Sequence, residues 1–438
     1  MTRKAWTWSL GILGGALLLV GAVFWTLQRR ATAVFERYDA RARRMLEGLR
    51  SQPWPRARLA GSPTPGDGWP VHLQALQGFG SIMKEETDEI PEMSDDPDAP
   101  ADLEVLEDLF QKYSPLIDQL KEANRRSEFH PKHDLPAELV SFDPDARRSI
   151  RTARFLAGRA VHFCQSGRRT EGLESLALGI SLGHDTARGG LIGHFLVQLA
   201  CERAEEDALR ELLKSHDFTA HELGGLARAL DQLRATRPEV GPAFDAEEAS
   251  VYRFLSDWGL SGAPSPGAAL HVPAIRSWKW LYSQRLALSG ALGELDRLFG
   301  EARGIASLPP TLKPSAMQKI IAQADLHENP MIWLWLQAAN RVCYRDAVAQ
   351  MGWTLMTVSV AIARFDAEEG TPPDTLEDLV PRYLPKVPRC PFSGQALGYS
   401  QGRVWSVGKN LVDDQGTPGR NDDLDDQDGD VVWTVMRK

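Results

Sequence analysis

The sequence predicts a mainly α-helical protein closed by a small α+β domain. Three observations carry this expectation. Apolar residues recur at three- and four-residue intervals through most of the middle of the chain. Period-two alternation is absent there over any length, and the C-terminal stretch changes to short β-rich runs separated by Gly, Pro and Asp. A length of 438 residues, with 43% hydrophobic and 25% charged content, suits an ordinary folded chain of two or three domains. With 59 acidic against 50 basic residues the chain lacks the overall positive charge of a nucleic-acid binder, and no nucleic acid is expected as a partner. Cys164, Cys201, Cys343 and Cys390 are widely spaced without a CxxC pair, which argues against a zinc ribbon and leaves any disulfide pairing open.

The first element is a transmembrane helix. Ala5–Leu27 carries no charged residue, and at about 1.5 Å per residue it spans roughly 35 Å, enough for a hydrocarbon core. Trp6, Trp8 and Trp25 lie near its ends, where indoles favour the membrane interface. A cleavable signal peptide is the competing reading. The apolar run is long for one, and Arg29-Arg30 precede the small-x-small site at Ala31–Ala33, so residues 1–30 are read as an uncleaved anchor. Gly11 and Gly15 form a GxxxG that suits close helix pairing. Arg3 and Lys4 precede the span, whereas Arg29, Arg30, Arg37, Arg41, Arg43 and Arg44 follow it; by that count the large domain stays in the cytoplasm.

Residues 31–60 continue as a helical stalk, with Val34, Tyr38, Met45 and Leu49 at roughly helical spacing, until prolines and glycines break it. A helical bundle or solenoid is expected over 61–335. "DLEVLEDLFQKYSPLIDQLKEA", "RSIRTARFLAGRAVHFCQ", "EGLESLALGISLG" and "LIGHFLVQLACERAEEDALRELL" all follow the helical period. Within this region Phe155–Leu182 reads as a helical hairpin of tetratricopeptide type turning at Ser166-Gly167. A single such unit suits a hairpin within a bundle better than an array. Thr219 and Glu222 make a capping-box pattern at a helix start. Pro91–Pro100 and Ser256–Trp278 read as loops, and a long helix resumes at Asn340 and ends before Gly370.

The last domain, 336–438, holds the most unusual stretch. Between the strand-like "RVWS" and "VVW", Asn410–Asp430 contains eight Asp and a single Arg, an arrangement that repels itself unless a cation or solvent screens it. Ca²⁺ takes six to eight oxygens, and a loop supplies them from carboxylates and backbone carbonyls. The run "DDQDGD" fails the EF-hand spacing because Leu424 occupies the first ligand position.

The order of these parts resembles the periplasmic domain of the major pseudopilins of type II secretion systems. A long helix ends at Gly370, Pro372 and Pro373 make the turn, and "DTLEDLVPRYL" stands for the short helix. "VPRCPFSGQALGY" stands for the strand entry, and "DGDVVW" for the closing strand. The resemblance covers about the last 95 residues. It implies a small antiparallel sheet with a structural Ca²⁺ site, Asp428 and Asp430 as side-chain ligands and Asn410, Asp413 and Asp414 as companions. Asp422, Asp423, Asp425 and Asp426 are surplus to that pattern. Cys390 replaces the family's Asp in the strand entry, and the pilin N-terminal cleavage motif is absent. Such a chain looks like a membrane protein carrying a borrowed domain. Free Ca²⁺ is plentiful outside the cytoplasm, and this outweighs the arginine count in favour of an extracytoplasmic, periplasmic address. A structural or partner-binding role in envelope or secretion assembly follows, with an unidentified protein partner.

Signals for a reaction are few. A nucleophile elbow, HExxH and a Walker A loop are absent from the sequence, and Gly402–Asn410 only approximates the last. Ser81–Lys84 fits S-x-x-K, a pattern common by chance. His130 and His133 flank a proline in a loop, while His162, His184 and His194 fall on or near the hairpin helices, where structural roles are usual. Ala187–Gly190 marks either a helix break or an anion site at the next helix start. Two rival classes remain: a hydrolase would need a pocket in the helical domain with convergent His and carboxylate groups, and a true type II secretion pseudopilin would need N-terminal processing.

Overall fold

The computed structural model describes residues 3–59, 61–80, 103–135, 144–261, 285–309, 312–323, 330–408, 410–419 and 429–435. Side chains at 3–21, 23, 24, 285–287, 330, 331 and 334 lie outside that description. The fold is mainly helical with a small antiparallel sheet, as the periodicity predicts. Helix α1 runs Arg3–Ser51, β1 Thr64–Asp67, α2 Trp69–Phe79, α3 Leu103–Lys112, α4 Ser114–Arg125 and β2 Arg126–Glu128. Then come α5 Pro144–Gln165, α6 Arg169–Ala187, α7 Ile192–Ser215, α8 Ala220–Ala235 and α9 Val240–Ser261. The chain closes with α10 Arg285–Ala306, α11 Lys313–Gln323, α12 Pro330–Glu369, a 3₁₀ turn at Leu376–Leu379, and β3 Gly398–Ser400, β4 Arg403–Ser406 and β5 Val431–Thr434.

Among the described residues no helix is long and apolar enough to cross a membrane. The expected transmembrane run, Ala5–Leu27, forms the first half of α1, and most of its side chains, including those around Gly11 and Gly15, lie outside the described residues. The second half of α1 is an integral part of the bundle. Ala31, Phe35, Tyr38, Ala42 and Leu46 recur every three or four residues and are buried, the first four of them in a core shared with α9 and α10. Gly259 on α9 makes the close approach to Phe35 feasible, since a Cβ there would sit 2.4 Å from the ring. Arg41 spans both neighbours, at 2.7 Å from Glu248 and 2.7 Å from Asp296. Within the stalk expected over 31–60, the helical residues from Ala31 to Leu46 therefore pack laterally against the bundle. Val34, Met45 and Leu49 lie at the margin of the buried stripe.

Helices α5, α6 and α7 form the centre of the molecule. The expected hairpin is present: α5 and α6 turn at Ser166-Gly167, where Gly167 takes φ +84°. Gly172 seats α6 against α5, because a Cβ at that position would lie 2.6 Å from Cys164 Sγ. The helix α8 opens with the expected capping box: Thr219 Oγ1 accepts the Glu222 amide at 3.2 Å and Glu222 Oε2 accepts the Thr219 amide at 2.7 Å. A two-stranded parallel pairing of β1 with β2 was not foreshadowed by any alternation in the sequence. Strands this short carry too few residues to show a period.

The long helix begins at Pro330, earlier than Asn340, and ends as expected at Gly370, which takes φ +81° while its amide donates to Asp366 O at 2.8 Å. It crosses the expected boundary between 335 and 336 and joins two cores. Its first half (Trp335, Leu336, Val342) packs with α9 and α10, and its second half (Met351, Leu355, Val358, Ile362) packs with α8 and the sheet. The sheet has order β3-β4-β5, all antiparallel. Three strands of three or four residues bury little by themselves. Val404, Val431 and Trp433 instead share one core with Leu173, Leu209 and Met356 of the helices. The four cysteines are buried and free.

Candidate cation site in the C-terminal acidic loop

The register Val404↔Trp433 and Ser406↔Val431 brings the two ends of the acidic segment together. Val404, Ser406, Val431 and Trp433 are all buried, so the pairing is held from beneath. Asp430 stands at the mouth of β5 and is fully buried. Its amide donates to Thr417 O at 3.1 Å, and its Oδ2 accepts the Gly416 amide at 2.8 Å. Among the described residues its Oδ1 is buried without a hydrogen-bond partner. A buried polar atom left unpaired is costly, so this oxygen marks either strain or a group that completes it.

The other expected ligands fall on the same loop. Asn410 Nδ2 donates to Asp414 Oδ2 at 3.2 Å, and Asn410 Oδ1 accepts the Val412 amide at 3.1 Å. One oxygen of Asp413 is already engaged: Oδ1 accepts Trp405 Nε1 at 3.0 Å and the Gln415 amide at 2.9 Å. Leu411, Gln415 and Gly416 take φ of 58°, 57° and 73°, so the chain winds tightly around Asp430 while Leu411 and Val412 face solvent. Burial first, and then the nearby Asp413 and Asp414, push the Asp430 carboxyl above the usual Asp value; the Gly416 and Asp414 amides oppose this. Asp428, with Asp422, Asp423, Asp425 and Asp426, lies outside the described residues.

The donor set fits a hard cation in kind: carboxylate and amide oxygens, one of them buried and unpaired, with like charges close by. Among the described residues, however, no group of three or more His, Cys, Asp or Glu side chains converges as a metal cluster. Cys390, in the place of the resembling family's Asp, is buried beside β4 with its Sγ 2.9 Å from Ser406 Oγ.

The histidines have structural partners. His162 Nε2 lies 2.9 Å from Glu107 Oε2, which Arg168 also contacts. His184 Nε2 lies 2.8 Å from Glu202 Oε1, both fully enclosed. His133 and His194 lie against each other with ring centroids 4.4 Å apart and planes inclined by 52°; His133 Nε2 meets Arg188 O at 3.1 Å and His194 Nδ1 accepts the Leu191 amide at 3.1 Å. Ala187–Gly190, read as either a helix break or an anion site, is a break between α6 and α7. At the head of α7 the chain's own Glu247 Oε2 accepts the Ile192 amide at 3.3 Å. Arg188 in that stretch is buried against Asp185 and Thr236 O. A cavity of about 340 Å³ between α4, α6 and α8 has no histidine among the described residues that line it. Ser81–Lys84 lies outside the described residues. The pairing of these groups is not legible in the sequence: His184 is singled out there, but its partner Glu202, and the Arg237 that Glu202 also holds, carry no local signal.

In comparisons with known proteins, no family model, no curated protein and no solved structure matches this chain.

Proposed function

We propose that this chain is a membrane-anchored, extracytoplasmic structural or partner-binding protein whose C-terminal domain is pseudopilin-like and fastened by Ca²⁺, with a role in envelope or secretion assembly. The observation that carries the reading is the buried Oδ1 of Asp430, unpaired among the described residues, on a loop shared with Asn410, Asp413 and Asp414. Asp428 and Asp430 would contribute side-chain oxygens, and Asn410, Asp413 and Asp414 would complete the shell with backbone carbonyls. Ca²⁺ would supply charge neutralisation there and no reaction step. The uncharged run of Ala5–Leu27 supports the anchor, and the need for abundant Ca²⁺ supports the exterior address.

Thermal unfolding of the full chain in lipid nanodiscs, with Ca²⁺, Mg²⁺ or chelator, tests the site. Ca²⁺ at 100 times its dissociation constant adds about 2.7 kcal/mol to the state that binds it. The expected result is a Ca²⁺-specific rise in the transition that Asp430→Asn abolishes. An unchanged transition would return the acidic run to a solvated loop and remove the argument for the exterior address.

A further inference from the structure

The cavity between α4, α6 and α8 lies apart from the acidic loop. Its floor is apolar, built from Leu173, Ala177 and Leu178 of α6, Leu226 of α8 and Leu59 from the segment before β1. That segment is pinned. Asn124 Nδ2 donates to Ala57 O at 3.2 Å and to Ser181 Oγ at 2.9 Å, and Asn124 Oδ1 accepts the Leu59 amide at 3.1 Å. Arg56 adds a buried pairing with Asp185, its Nε 2.9 Å from Oδ1. Buried hydrogen bonds therefore set this wall, and the cavity exists before any ligand arrives.

The rim is charged and unevenly committed. Glu222 spends its carboxylate on the start of α8 through Thr219, Lys121 meets Glu174 at 3.4 Å, and Arg125 meets Glu122 at 3.3 Å. Arg228 is exposed at the edge and has no carboxylate partner among the described residues. A second feature points the same way. Helix α8 carries Gly225 on the cavity wall, where a Cβ would meet nothing within 4 Å. A mid-helix glycine sacrifices helix propensity, and among the described residues no neighbour requires its small size. Its effect is to leave the space empty.

We propose that this cavity binds a single-chain amphipathic anion, a linear acyl carboxylate whose chain lies along the leucine floor and whose head group meets Arg228. The volume falls in the range of small-molecule sites, the lining combines an apolar surface with a few polar groups, and the uncommitted charge is positive. The inference is independent of the calcium reading.

The test is photolabelling of the full chain in lipid nanodiscs with a diazirine analogue of decanoate, mapped by mass spectrometry. Label is expected on peptides of α4, α6 and α8, removed by excess decanoate and unaffected by decanol. Gly225→Trp fills the space from a position free of neighbours and should lower labelling about tenfold with an unchanged circular dichroism spectrum, and Arg228→Glu should lower it by about tenfold as well. Equal labelling of Gly225→Trp and wild type, competition by decanol as strong as by decanoate, or label confined to other segments would each overturn the proposal.

Discussion

Arg237 is the residue on which the deepest charges converge. Its Nε and Nη2 lie 2.8 and 3.0 Å from Glu202, and its Nη1 lies 3.0 Å from Asp346, which in turn accepts Lys313 Nζ at 2.9 Å. Glu202 also takes Gln198 at 3.0 Å and faces His184. Burial would lift the Glu202 carboxyl, but Arg237 and His184 hold it down at about 2, while burial lowers the His184 imidazole. The four formal charges balance, two positive and two negative, and the network ties α6, α7, α11 and α12 together. Removing its centre leaves two buried carboxylates undercompensated. Arg237→Met is therefore expected to reduce stability by about 3–5 kcal/mol in urea unfolding; a loss below about 1 kcal/mol would show that the buried charges are solvated in some other way.

At the scale of the element, the head of α7 has an internal counter-ion. Burial pushes the half-buried Glu247 carboxyl up to about 7, against the Ile192 amide and His194, which favour its charged form. A carboxyl raised in the folded state binds more protons folded than unfolded between its ordinary value of 4.5 and about 7. Its contribution to stability is present below 4.5 and is lost as pH rises through 7. Glu247→Gln should flatten that slope, by about 3 kcal/mol at most. Urea unfolding at pH 5 and pH 7.5 measures it, and identical pH dependence in the two proteins would exclude Glu247 as the source. The capping box of α8 uses neighbours three residues apart, whereas α7 takes its carboxyl group from α9.

For the molecule as a whole, the shared core decides how the chain unfolds. Trp433 on β5 packs under Arg210 of α7, its ring 5.1 Å from the guanidinium, in the same cluster as Leu209 and Met356. The sheet rests on helices and has no core of its own. Trp433→Ala is expected to cost about 3–5 kcal/mol and to lower a single calorimetric transition. Two resolved transitions, with only the smaller one moved, would mean that the sheet unfolds as a separate unit. The same packing applies to α1: Phe35 and Tyr38 lie in the core of α9 and α10, so a membrane-embedded first half, as proposed, would hold the bundle close to the bilayer without a long spacer.

Local chemistry was sufficient for the helices, for the Thr219–Glu222 cap, for the turn at Gly167 and for the stop at Gly370, because each depends on residues within four positions of one another. The two strands flanking the acidic run were also legible, from β-branched and aromatic residues beside a break. Of the candidate site, the residue types were legible, whereas the burial of Asp430 and its unpaired oxygen were not. Those depend on Gly416 and Thr417 folding back across the strand end. The lateral packing of α1, the continuity of α12 through a supposed boundary, the Arg237 network and the cavity beside Gly225 came only with the tertiary structure. Each joins residues scores of positions apart, and hydrophobic periodicity reports which face of an element is buried but is silent on what buries it.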